Sequence, residues 1–124
     1  MINRKWKKNN KNKKCGKKLN VYNRTIEGYT NIDYKRLTKM VKEDKNIILL
    51  DVRSIQEYNE GYINGAILIP LYELERTVET KILDKMQSII VYCASGIRSI
   101  KAIEILIRKG YKNLYNLYGG LENY

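Results

Sequence analysis

One stretch of the sequence combines a thiol, small residues and a cation at a spacing suited to nucleophilic chemistry. It reads Cys93, Ala94, Ser95, Gly96, Ile97, Arg98, Ser99, and it joins a short apolar run to a helical pattern. Small residues let such a loop turn successive backbone N–H groups toward one point, and the first turn of the following helix adds the positive end of its dipole. Because that field favours a thiolate over a thiol, the sequence predicts that Cys93 is a nucleophile that needs no neighbouring base.

Plainer interpretations of the same loop stay open. Cys93 is also explained as a small apolar residue at the end of a strand, since free cysteines are among the most buried residues. Arg98 is also explained as an ordinary helix residue that faces solvent. Against the second interpretation, the helix dipole mildly disfavours an arginine at a helix start, which favours an anion nearby.

The composition excludes several catalytic designs. The chain has no histidine, which removes Ser-His-Asp and Cys-His catalysis and histidine-ligated zinc. The two cysteines, Cys15 and Cys93, stand too far apart in the sequence for a metal knuckle or a C-x-x-C redox pair. We expect no disulfide between them, and we assign Cys15 no role.

Short apolar runs alternate with helical patterns along the chain and must position this loop. The predicted strands are residues 47–52, 66–69, 88–92 and 114–117, and the predicted helices are residues 34–44, a turn or two at 57–60, 71–86 and 99–109. Asp33 is expected to cap the first helix and Gly110 to end the last. The inner face of the helix at 71–86 is predicted to carry Leu71, Leu74, Val78, Ile82 and Leu83.

This alternation predicts an α/β fold. Strands that alternate with helices imply right-handed crossovers and a parallel sheet covered on both faces. Ligands of such sheets bind beyond the carboxyl ends of the strands, and Cys93 directly follows one of these ends.

Length and charge describe one domain with a basic extension. The chain has 124 residues and a net charge of +11, and residues 1–18 hold nine lysines or arginines and no acid. We expect residues 1–20 to form a disordered tail in a cytoplasmic protein, because the tail lacks the apolar segment of a secretory signal. Contact of the tail with nucleic acid or an anionic membrane, with the domain as its scaffold, is the less favoured alternative.

Six pieces of sequence stand in a recognisable order. They are L-L-D-V-R (49–53), E-Y-N-E-G-Y-I-N-G-A (57–66), I-P (69–70), the loop 93–99, G-Y-K-N-L-Y-N-L (110–117) and G-G-L (119–121). Over residues 29–124 this series resembles the rhodanese-like sulfurtransferase domains. The resemblance implies a single domain with a central five-stranded parallel sheet flanked by helices on both faces.

The resemblance also implies roles for the loop. Cys93 takes the place of the nucleophile that carries sulfur as a persulfide, and Arg98 that of a cationic substrate contact. The backbone N–H groups of residues 94–98 would stabilise the terminal sulfur, and Ser99 completes the binding loop.

A second element, D-V-R, falls beside the mouth of the site in this family. Its charged residues, Asp51 and Arg53, are possible supporting residues. We expect Arg53 to pair with Glu57 or to help hold an anion, while a purely structural ion pair is the favoured alternative.

Loop length separates sulfur from phosphorus chemistry. Four residues stand between Cys93 and Arg98, whereas the related cysteine phosphatases have five. A smaller ring of donors suits one sulfur atom better than a tetrahedral phosphate, which disfavours a phosphatase or an arsenate reductase.

The chain departs from the family at two positions. Tyr62 replaces a common histidine, and Tyr124 replaces a common tryptophan.

The implied reaction moves a sulfane sulfur in two steps. A small anionic donor such as thiosulfate gives its outer sulfur to Cys93, and cyanide or a thiol, including a protein thiol, then accepts it. No metal or organic cofactor is needed. The alternative is a persulfide relay or regulatory binding module with little turnover, although the presence of both Cys93 and Arg98 argues against an inactive domain.

Overall fold

A sheet of five parallel strands forms the centre of the computed structural model, which describes residues 27–124. In chain order the elements are β1 (Tyr29–Ile32), α1 (Tyr34–Glu43), β2 (Ile48–Asp51), α2 (Ile55–Glu60), β3 (Ile67–Leu68), α3 (Leu71–Lys81), β4 (Ser88–Tyr92), α4 (Ile97–Arg108), β5 (Asn113–Leu117) and a 3₁₀ turn (Leu121–Asn123). The tail predicted at residues 1–20 and Cys15 lie outside the described residues. Within 27–124, no helix is long and apolar enough to cross a membrane.

The strand order places β4 in the middle of the sheet. The strands lie in the order β1-β5-β4-β2-β3, and every neighbouring pair is parallel. Val91 of β4 lies opposite Leu50 on one side and Asn116 on the other. The predicted α/β fold with a five-stranded parallel sheet is therefore confirmed.

Helices cover the two faces of the sheet, as the resemblance implied. Along β4 and just beyond it, Ile89, Val91 and Cys93 belong to the core cluster that contains residues of α3 and α4. The alternate residues, Ile90 and Tyr92, belong to the cluster that contains residues of α1. All five side chains are closed to solvent, which explains why a strand buried on both faces reads as a continuous apolar run.

Three helix boundaries differ from the sequence prediction by two residues or more. Helix α2 begins at Ile55, two residues before the predicted turn at 57–60. Helix α3 ends at Lys81, not at residue 86, and Leu83 is 79% exposed, so its placement on the inner face was wrong. The chain turns there because Asp84 accepts hydrogen bonds from the backbone N–H groups of the next residues, Met86 to its side chain and Gln87 to its carbonyl. Helix α4 begins at Ile97, two residues earlier than predicted.

Strand β1 was not recognised as a separate apolar run. Its sequence is Y-T-N-I, and only Ile32 is buried. As the edge strand beside β5 it has one sheet neighbour, so it lacks the buried alternation by which a strand is recognised. The five-strand count came from the family resemblance.

Candidate active site

The loop after β4 is bound on both sides by neighbouring carboxyl-end loops. The N–H of Val52, which follows β2, donates to the carbonyl of Tyr92 at 3.1 Å. On the other side, the N–H of Leu121, beyond β5, donates to the carbonyl of Cys93 at 2.8 Å. The loop therefore lies at the edge of the sheet where ligands of such folds bind.

The sulfur of Cys93 accepts two backbone hydrogen bonds. The N–H of Gly96 lies 3.1 Å from Sγ and the N–H of Ser99 lies 3.3 Å from it. Both N–H groups are free to do so because the first amides of an α-helix have no partner within the helix. The early start of α4 at Ile97 thus places Ser99 in its first turn, with its N–H available to the sulfur.

The surroundings of Cys93 agree in part with both interpretations of the sequence, a structural cysteine and a nucleophile in an anion-binding loop. Its side chain is closed to solvent and belongs to the core, as a structural cysteine would. Its sulfur also accepts the N–H groups of Gly96 and Ser99, as an anion-binding loop would. The exposed residues of the loop are Ser95 and Ile97, and the side chain of Ile97 is 65% exposed. A nucleophilic role for Cys93 stays a prediction.

A close backbone contact fixes the shape of the loop. Gly96, the residue before α4, has φ of +100°, in the left-handed region that glycine favours. Gly120 has φ of +76° and ψ of −179°, and a Cβ there would lie 2.6 Å from the nitrogen of Ser95. The carbonyl of Ala94 accepts the N–H of Glu122 at 2.9 Å. The Gly119-Gly120 pair therefore lets the chain beyond β5 lie directly against the loop.

Arg98 forms a two-pronged ion pair with Glu57. Its Nη1 and Nη2 atoms lie 2.7 and 2.9 Å from Oε1 and Oε2 of the carboxylate. Hydrogen bonding from Arg98, with further bonds from Ser54, lowers the pKa of Glu57 to about 2. The same hydrogen bond raises the pKa of Arg98. The two side chains therefore hold each other in their charged forms.

The expectation that Arg53 pairs with Glu57 was wrong. Arg53 donates from Nε and Nη2 to Asp51, the latter at 2.7 Å, and from Nη2 to the carbonyl of Gly61 at 2.7 Å. Both side chains are buried, with the carboxylate fully so. A carboxylate buried at the end of β2 needs a partner, and Arg53 is the nearest cation along the chain. The buried pair agrees with the structural ion pair that the sequence analysis favoured, and anion binding by Arg53 stays a prediction.

A buried polar chain reaches Ser99 from the sheet. The Ser99 hydroxyl donates to Oδ1 of Asn116 at 2.7 Å, and Nδ2 of Asn116 donates to Oδ1 of Asn31 at 2.9 Å. Sequence reasoning missed Asn116, although a single amide inside L-Y-N-L is a signal of a buried polar role. It also missed the capping box that joins Glu57 to Ser54, although the S-x-x-E pattern of these two residues is its usual signal.

The two departures from the family pattern have defined surroundings. Tyr62 is half-exposed and stacks on Tyr58, with ring centroids 4.0 Å apart. The hydroxyl of Tyr124 donates to the carbonyl of Tyr118 at 3.1 Å, and its ring lies 5.7 Å from that of Tyr34. Neither tyrosine contacts Cys93 in these interactions.

Within residues 27–124, no group of three or more His, Cys, Asp or Glu side chains is placed to hold a metal ion.

Comparison with known sequences identifies the family. The profile of the Rhodanese-like domain matches residues 33–124. The chain therefore belongs to the rhodanese-like domain family, and the resemblance seen in the sequence is confirmed. Over 90 residues it is 29% identical to a sulfurtransferase of Allochromatium vinosum, a match that covers 73% of this chain and 82% of the relative.

Two further relatives show the range of the family. A tRNA uridine(34) hydroxylase of Bdellovibrio bacteriovorus is 33% identical over 89 residues, which cover 69% of this chain and 25% of that protein. The chain thus spans about a quarter of this longer relative. The solved structure of a rhodanese-related protein of Thermoplasma volcanium aligns with a TM-score of 0.65 at 34% identity, covering 76% of this chain and 88% of that one.

Proposed function

We propose that the chain is a sulfurtransferase in which Cys93 carries a sulfane sulfur as a persulfide. The observation that supports this most is the pair of backbone N–H groups, from Gly96 and Ser99, that Sγ accepts. Hydrogen-bond donors fixed at the place where negative charge develops stabilise that charge without reorganising. The same arrangement suits a thiolate before the transfer and a persulfide after it.

The proposed reaction has two steps that share one covalent intermediate. The Cys93 thiolate attacks the outer sulfur of a donor such as thiosulfate, the S–S bond of the donor breaks, and sulfite leaves with the electron pair. Cyanide or a thiolate then attacks the outer sulfur of the Cys93 persulfide and releases the thiolate. The N–H groups of residues 94–98 would hold the terminal sulfur in between, and Arg98 would contact an anionic donor.

A second candidate is a persulfide relay that exchanges sulfur mainly with a partner protein. The burial of Cys93 slows its reaction with any acceptor, small or protein-borne, so accessibility alone does not separate the candidates. The two candidates share the persulfide and differ in turnover. A relay would load sulfur once and release thiocyanate slowly when cyanide is the acceptor.

Mass spectrometry of the intact chain tests the proposal. Protein purified without reductant and exposed to thiosulfate, or to cysteine persulfide, should gain the mass of one sulfur atom. Cys93→Ser should lose this gain and all thiocyanate release while remaining folded, and Cys15→Ser, the matched control, should keep both. Sulfur on the Cys93→Ser protein equal to that on wild type would refute the assignment.

Steady-state kinetics separate the two candidates. An enzyme with small substrates should release thiocyanate over many turnovers, with the parallel double-reciprocal lines of a ping-pong mechanism. A relay should show one stoichiometric release followed by little further product.

A further inference from the structure

The cation of the loop is already engaged by a fixed carboxylate. Besides its two bonds from Arg98, the Glu57 carboxylate accepts the N–H and the hydroxyl of Ser54, each at 3.0 Å to Oε1. Ser54 in turn caps α2, so the carboxylate is held in place independently of Arg98. Arg98 and Glu57 are each about one-third exposed, which places the pair at the solvent boundary of the loop.

This pairing changes what Arg98 offers to a donor. An incoming anion meets an ion pair whose formal charges cancel, and the second arginine of the site, Arg53, is bound to Asp51. A donor that carries two negative charges gains little from such a pair, and each extra charge is repelled by the nearby carboxylate. A donor with less charge at its reacting end is penalised less.

We propose that Glu57 is a specificity-determining residue that selects donors with low negative charge, such as persulfides and organic thiosulfonates, over the thiosulfate dianion. This inference rests on the proposed function and names the donor class for the same site. With a persulfide R–S–SH, the Cys93 thiolate attacks the outer sulfur, the S–S bond breaks, and R–S⁻ leaves with the electron pair. Cys93 keeps the outer sulfur together with its proton, so the step needs no oxidant or reductant.

The sharpest test compares two donors that differ by one charge. Thiosulfate and methanethiosulfonate both carry a sulfane sulfur on a sulfonyl group, but the first is a dianion and the second a monoanion. The rate of sulfur loading on Cys93, followed by mass at low donor concentration, gives the selectivity for each donor. Wild-type protein should prefer methanethiosulfonate.

Removing the charge of Glu57 should shift this preference. Glu57→Gln keeps the capping box, since glutamine serves there as well as glutamate, but it leaves the Arg98 charge uncompensated. We expect the preference for the monoanion to fall about tenfold, the effect of one unit charge at short range in a partly screened site. The control Glu43→Gln removes an exposed carboxylate that pairs with Lys39 at the end of α1. Because α1 runs back from the carboxyl edge of the sheet, Glu43 lies far from the loop, and its loss should leave the preference as in wild type.

A second variant tests the inference even if Glu57→Gln disturbs helix α2. Arg98→Gln leaves Glu57 uncompensated and should raise the preference for the monoanion about tenfold. The double variant Glu57→Gln/Arg98→Gln should return it near the wild-type value. If both donors load Cys93 and Glu57→Gln has the wild-type preference, the role of Glu57 is refuted while the proposed function stands. If no donor loads Cys93 of the wild-type chain, the proposed function fails and the inference fails with it.

Discussion

The hydroxyl of Ser99 donates a 2.7 Å hydrogen bond to Oδ1 of Asn116, and both residues are buried. This bond ties the first turn of α4 to strand β5. Because the N–H of the same serine lies 3.3 Å from Cys93 Sγ, the side chain of Ser99 positions its own amide against the sulfur. A polar group that looks merely structural in the sheet thereby contributes to the surroundings of Cys93.

Ser99→Ala should therefore affect stability and sulfur loading together. The variant keeps the amide but leaves Oδ1 of Asn116 without its donor, which should lower the free energy of unfolding by about 1–2 kcal/mol. We expect sulfur loading on Cys93 to slow several-fold, because the amide is no longer held. Urea unfolding and mass spectrometry measure the two effects.

The outer end of the polar chain supplies the control for Ser99→Ala. Asn31 is exposed, and Asn31→Ala removes only its bond to Asn116. This variant should lose less stability and load sulfur nearly as fast as wild type. Equal slowing in both variants would mean that the polar chain acts on the fold as a whole and not through Ser99.

Gly120 should tolerate no side chain. Its backbone angles belong to a region open almost only to glycine, and a Cβ would press on the Ala94 carbonyl and the Ser95 nitrogen. Gly120→Ala should lower the free energy of unfolding by about 3 kcal/mol or more, since backbone must move to admit the methyl group. Thermal or urea unfolding checks this value.

Substitution of Gly65 separates the cost of backbone strain from the cost of a steric clash. It also has a positive φ, +91°, but a Cβ there would meet nothing within 4 Å. Gly65→Ala should cost only the conformational penalty of about 1–2 kcal/mol. If Gly65→Ala and Gly120→Ala proved equally destabilising, the close approach of Gly120 to the loop would not be the cause.

Much of the fold was readable because the sheet is buried on both faces. Strands β2, β4 and β5 contain apolar runs that the sequence shows directly, and the predicted bounds of β4 match the observed ones. The edge strand β1 buries only Ile32, so no apolar pattern marks it. The end of α3 was misplaced because Leu83 continues the helical spacing although the turn at Asp84 takes it to the surface.

The sequence predicts the site only where the site residues are consecutive in the chain. The loop from Cys93 to Ser99 could be recognised because its residues are consecutive and follow a strand. The partners of its charges come from elsewhere in the fold: Glu57 reaches Arg98 from α2, and Asn116 reaches Ser99 from β5. Such pairings depend on how elements pack, and single-sequence spacing does not contain that information.

The buried pair of Asp51 and Arg53 should matter for stability. Arg53→Met would leave the fully buried carboxylate of Asp51 without its cation, which should lower the free energy of unfolding by about 3–5 kcal/mol. Arg108→Met is the matched control, because Arg108 pairs with Glu75 at 3.7 Å and both side chains are mostly exposed. That control should change stability by less than about 0.5 kcal/mol. Similar losses in the two variants, measured by urea unfolding, would contradict the structural role of Arg53.

The ion pair of Glu57 and Arg98 should give stability a defined dependence on acid. The pKa of Glu57 is lowered from 4.5 to about 2 in the folded chain, chiefly by the hydrogen bond from Arg98. A carboxylate with a lowered folded pKa stabilises the fold fully above its unfolded pKa and loses that contribution as the pH falls through the folded pKa. The difference in unfolding free energy between wild type and Glu57→Gln should therefore be constant at neutral and mildly acidic pH.

As the pH falls from about 4.5 to 2, the unfolding free energy of wild type should decrease relative to that of Glu57→Gln. The reason is that Glu57 takes up a proton in this range and glutamine does not titrate. Urea unfolding of both proteins across this range measures it, with Glu43→Gln as the control for general acid effects. A difference that stays constant down to pH 2 would mean that Glu57 has the same pKa in the folded and unfolded chains, so that its carboxylate gains nothing from Arg98 on folding. In that case the ion pair would not compensate the charge of Arg98, and the balance of charge at the loop would have to be assigned to other groups.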